Sequence, residues 1–107
     1  MAIVLTHDPL QGAFFTEAER TALMFAGLGH RVDFVLMDGA VRSLLERSGY
    51  RFGLKTLARL SGIDGLTMNI LHSSMERIGW TADTRGLNIL SDGEFADILA
   101  DAKAVVF

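Results

Sequence analysis

The sequence predicts an α/β fold, a five-stranded parallel sheet covered by helices on both faces. Three observations predict it. Short apolar runs rich in β-branched residues recur along the chain, and segments of helical spacing separate them. The joints between run and helix carry Ser, Thr or Asp, and three of them add a Glu three residues later. Strict alternation of this kind gives a parallel sheet, because parallel strands need a crossover that is usually a helix.

Ala2 to Thr6 is the first strand, ended by His7-Asp8-Pro9, where Pro9 restricts Asp8 to an extended geometry. A loop through Gly12 follows, and Thr16-Glu17-Ala18-Glu19 fits a capping box. The helix it opens is expected over about Glu17 to Leu28. Ala18, Ala22 and Phe25 share one face, with Leu23 and Ala26 beside them, and Gly27 and Gly29 stop it. Arg31 to Met37 is the second strand. Asp38 is the expected N-cap of a helix over Ala40 to Arg47, striped by Val41, Leu44 and Leu45. Ser48 to Phe52 reads as a turn, and Leu54 to Leu60 as a short helix with Leu54, Leu57 and Ala58 inward.

Leu66 to Leu71 is an apolar run broken by Thr67 and Asn69, the pattern of a buried central strand. Ser73-Ser74-Met75-Glu76 follows as a second capping box, so a helix is expected to start at Ser73. Thr81 to Gly86 is a polar loop and Leu87 to Leu90 the fourth strand. Ser91-Asp92-Gly93-Glu94 is a third capping box, with Leu90 and Phe95 spaced as a hydrophobic staple. The last helix is expected to turn Phe95, Ile98, Leu99 and Ala102 inward, and Ala104 to Phe107 is the final strand. The strand order is not legible.

With 107 residues the chain fits one domain, which at this size buries roughly 65% of its unfolded surface without staples. Half of its residues are hydrophobic and its mean hydropathy is +0.30, so some apolar surface is expected at subunit interfaces. There is no cysteine, which excludes disulfides, thiolate metal sites and a cysteine nucleophile. The net charge of -3 has no basic block behind it, and nucleic acid is not an expected partner. The start carries no signal-peptide pattern and no run has the length of a membrane span. A cytoplasmic, soluble protein is the expectation.

In open α/β sheets, ligands bind beyond the carboxyl ends of the strands. That edge is expected to gather His7, Asp8, Asp38, Gly39, Leu71, His72, Ser73 and Ser74 as tentative ligand-binding residues, with Ser91 and Asp92 alongside. His72 fits a general base or a hydrogen-bond donor to a ligand, and equally a partly exposed histidine bonded to a backbone carbonyl. His7 and Asp8 have no HxH or HExxH partner, so no metal is expected. Neither serine has the flanking glycines of a GxSxG elbow, and the HDPLQGA loop has neither GxxxxGK nor GxGxxG. No catalytic residue and no cofactor is assigned. The aromatics Phe14, Phe15, Tyr50, Phe52 and Trp80 are read either as satellite core or as a subunit interface. Asp83, Asp97 and Asp101 read as solvated surface.

The segments IVLTHDP, AGLGHRVDFVLMDGAV, SSMERIGW and LADAKAVVF, in that order across nearly the whole chain, resemble the DsrE/DsrF-like family. These are small sulfur-relay subunits that include the TusBCD proteins. The resemblance implies a three-layer, flavodoxin-like fold assembled into dimers, trimers or hexamers, often of mixed subunits. Some members carry a persulfide on the cysteine of a pattern similar to C-x-x-S-L-x-x-R-G-L. Laid on this chain, Ser74, Met75, Gly79 and Trp80 take the serine, leucine, glycine and final leucine positions. The cysteine position falls on Leu71 and the arginine position on Ile78, beside Arg77. The resemblance therefore implies a non-catalytic subunit, paired with itself or with related cysteine-bearing subunits. The other expectation is a small-molecule-binding protein or minor enzyme with His7, Asp38 and His72 as polar anchors.

Overall fold

Five strands, all parallel, form one sheet in the order β4-β3-β2-β1-β5. The computed structural model describes residues 1–6, 14–45, 59–79, 87–101 and 103–107. Within them the elements run β1 (Ala2–Leu5), α1 (Phe14–Gly27), β2 (Val32–Leu36), α2 (Gly39–Leu45) and β3 (Leu66–Leu71). Then come α3 (His72–Arg77), β4 (Asn88–Leu90), α4 (Asp92–Asp101) and β5 (Ala104–Val106). This is the expected small flavodoxin-like α/β fold, although flavodoxin itself orders its strands 2-1-3-4-5. Among the described residues, no helix is long and apolar enough to cross a membrane.

The winding fixes the layers. β1 to β4 are laid down in one direction, so right-handed crossovers put α1, α2 and α3 on the same face. β5 returns past the whole sheet to pair with β1, which sends its connection, α4, to the other face. On the first face Ile3, Phe34 and Met68 stand in register, as do Leu5, Leu36 and Ile70. Phe15, Ala18 and Ala22 of α1 and Met75 of α3 join them in the main core. The second face buries Val4, Val35, Asn69 and Leu71. Burial on both faces is why β1 to β3 read as near-continuous apolar runs. Asn69 is the polar exception; its amide donates to the carbonyls of Phe34 and Thr67, each at 3.2 Å.

The end of α1 is as its glycines predict. Gly29 takes φ 89°, its N–H donates to Ala26 O, and the His30 N–H donates to Phe25 O. That pair of bonds is a Schellman motif, and the Phe25 and His30 rings pack edge-on at 5.6 Å across it. The third capping box also forms: Ser91 N–H donates to Glu94 Oε1 and Glu94 N–H donates to Ser91 Oγ, both at 3.1 Å.

Three local expectations are corrected. α1 begins at Phe14, so Thr16 sits inside its first turn and does not open it. The extra residues are held because Phe15 packs into the core, 6.4 Å from the Phe34 ring, and only 5% of it is exposed. Of the two readings open for Phe15, the core one therefore holds. α3 begins at His72 with Leu71 as its N-cap and no side-chain cap bond, so the Ser73–Glu76 box does not form. Finally, α4 buries none of its residues: Phe95 and Ile98 are half-buried and Leu99 is 39% exposed. Residues 59–61 are helical, with Leu60 fully buried. The expected turn at Ser48–Phe52, most of the Leu54–Leu60 helix, the Thr81–Gly86 loop and Ala102 lie outside the described residues.

Candidate functional site

The centre of the site is the joint after β2. Asp38 follows Met37 and precedes α2 with φ 50°, a left-handed conformation that costs a non-glycine residue energy and that Asp tolerates better than most. Its carbonyl accepts the Val41 and Arg42 amides, so it does stand where a cap would. Its carboxylate is turned across the sheet edge toward α3.

Ser74 receives it. The Asp38 N–H donates to Ser74 Oγ at 3.0 Å, and the Ser74 hydroxyl donates to Asp38 Oδ1 at 3.2 Å. Ser74 is 2% exposed, so this reciprocal pair is buried on the serine side. Arg77, one turn further along α3, donates from a guanidinium nitrogen to the same Asp38 Oδ1 at 3.1 Å. Both partners of that ion pair are substantially exposed, so its worth lies in fixing the guanidinium and not in stability.

These groups border a pocket of about 330 Å³ lined by Asp38, Gly39, Arg42, Ser74, Arg77 and Ile78. It opens at the carboxyl ends of β2 and β3, where the α/β architecture leads one to expect a ligand. Among the described residues its lining holds two arginines and one carboxylate, and the Arg42 side chain has no ion pair. A larger depression of about 510 Å³ lies at the opposite, amino-terminal edge, between His30, Arg31 and the turn at Asp64 and Gly65. Gly65 holds φ 83° there, and an added Cβ would meet His30 O at 3.3 Å. That depression is shaped by close backbone turns, and among the described residues no buried polar side chain lines it. The strand-end pocket is the stronger candidate.

Of the residues singled out in the sequence, the structure brings together Asp38, Gly39 and Ser74. Leu71 is buried in the second face of the sheet. Ser73 is half-buried in the first turn of α3. His72 is half-exposed outside the pocket, with Nδ1 3.4 Å from Glu76 Oε1, one turn along its own helix. His7 and Asp8, the side chain of Phe14, and Tyr50, Phe52 and Trp80 lie outside the described residues. The order of strands reverses between β1 and β5. There the Thr6 N–H and hydroxyl both donate to Phe107 O, at 2.8 and 3.0 Å. Arg42 was not among the sequence candidates, and Arg77 entered only as the neighbour of Ile78. The spacing held a signal for both: Arg42 is four residues after Asp38 and Arg77 three after Ser74, the separations that share a helix face.

No family model matches the chain, and no curated protein matches it either.

Proposed function

We propose that the chain is a non-catalytic subunit of the DsrE/DsrF-like kind, with a structural or docking role in intracellular sulfur relay. It assembles with copies of itself or with related cysteine-bearing subunits. The observation that carries this reading is α4, a ten-residue amphipathic helix that buries none of its residues within the chain. A helix laid on a sheet ordinarily covers its apolar stripe, and here Leu99 is left 39% exposed. Apolar residues also stand open on both edge strands, Ile89 of β4 and Val106 of β5. Unpaired strand edges of this sort favour pairing with another chain. The absence of cysteine removes sulfur transfer by this chain itself.

Leu99→Glu tests the reading, since the side chain is exposed and the change leaves the chain's own core alone. The expected result is a lower mass by size exclusion with light scattering, at an unchanged circular dichroism spectrum. An assembly of the same mass as the parent would remove α4 from the interface.

A second reading has its own observation. The strand-end pocket around Asp38 and Ser74 supports a small-molecule-binding role at the same edge, compatible with assembly and independent of it.

A further inference from the structure

We infer that the pocket between β2 and β3 binds a small oxyanion, a phosphate or carboxylate group, clasped by the guanidinium groups of Arg42 and Arg77. The inference rests on the second reading above, a ligand at the strand ends, and is independent of assembly.

Charge selects the class of ligand. Among the described residues the pocket is lined by two arginines and one carboxylate, and a single oxygen of that carboxylate already accepts from both Ser74 and Arg77. A cation would meet net positive charge, and a neutral apolar molecule would find little beyond Ile78 to cover it. Guanidinium groups present planar forks of N–H donors that match the paired oxygens of carboxylate and phosphate.

Geometry supplies order in advance. Arg77 is held by Asp38 through one of its nitrogens, which fixes the plane of the fork and leaves its remaining N–H donors for a ligand. Asp38 is in turn held by the buried Ser74 and by its left-handed backbone, an energetic cost of the kind that persists where the surroundings impose it. Arg42 projects from the first turn of α2, its amide bonded to the Asp38 carbonyl, and meets no acidic side chain among the described residues. A guanidinium positioned beforehand loses less freedom on binding than a wandering one. At about 330 Å³ the pocket is of a size that takes a small metabolite.

The test is a titration of the isotope-labelled full chain with inorganic phosphate and, separately, succinate, followed by amide chemical shifts at low salt. Saturable shifts at Asp38–Arg42 and Ser74–Ile78 are expected, shrinking as salt is added. Arg42→Gln should weaken binding about tenfold, and Arg77→Gln by a similar factor. Arg42→Gln is the cleaner variant, since among the described residues the Arg42 side chain makes no ion pair, whereas Arg77→Gln also breaks the bond to Asp38. Preference for phosphate over succinate, or the reverse, assigns the ligand to phosphoryl or carboxylate compounds. Shifts that both variants leave unchanged overturn the inference. So does a neutral molecule retained in the pocket while both probes fail, an outcome that leaves the ligand-site reading standing. Failure of both probes with no molecule retained overturns the two together.

Discussion

Phe34→Ala is expected to destabilise the fold by about 3–5 kcal/mol, the range for removing a large aromatic from a close-packed core. Phe34 is fully buried in the middle of β2, with Ile3 and Met68 in register on either side. Its ring meets Phe15 from α1 at 6.4 Å, so it joins the sheet to the helix above it. The flanking strands are tied by backbone ladders and cannot close over the space left behind. A domain of this size has only about 5–15 kcal/mol in hand, so the variant stands near the limit of folding. Urea denaturation followed by circular dichroism reads the loss as a lower midpoint at an unchanged slope. A loss under about 1 kcal/mol would contradict the packing described, since such a site would have to collapse almost completely.

Ser74→Ala is expected to cost about 1–3 kcal/mol, more than a serine on a short helix would ordinarily suggest. The hydroxyl accepts the Asp38 amide and donates to the Asp38 carboxylate. Without it, an amide in a left-handed turn loses its partner beside a buried methyl group, and among the described residues the carboxylate keeps only Arg77. The Asp38 groups are only part-buried, so water recovers some of the loss and the expected cost lies toward the lower end of that range. Ser74→Thr keeps the hydroxyl and should recover most of the loss, which separates the hydrogen bonds from simple repacking. If alanine and threonine behave alike, the hydroxyl does not hold the turn. The same pair of variants should also move the Asp38 amide resonance, in the alanine protein far more than in the threonine protein.

Ser74 also marks where sequence reasoning stops. The string Ser73-Ser74-Met75-Glu76 satisfies the local pattern of a cap, yet α3 starts a residue earlier and Ser74 bonds to a residue 36 positions away. Nothing local reports that partner. The strands β1 to β3 were legible for the opposite reason: burial on both faces writes itself into a run of apolar residues. The Ser91 box was legible too, because both of its bonds close within three residues. Strand order was hidden, since the same strands and helices serve several windings. With it was hidden the meeting of Asp38 with Ser74, and therefore the place of Arg42 and Arg77 at the pocket they border. Phe15 was left between core and interface because its neighbours in sequence suggest a loop, while its neighbours in space are the sheet. Phe95, Ile98 and Leu99 of the last helix have the spacing of a core face. Their limited burial is a property of the folded chain that spacing does not carry.

The claim on which the functional account turns is that this chain works as a subunit. Native mass spectrometry of the chain purified alone tests it most directly. The account predicts a homo-oligomer between dimer and hexamer, held through the open faces of α4 and the edge strands. A bare monomer at the concentrations where such assemblies persist would contradict it.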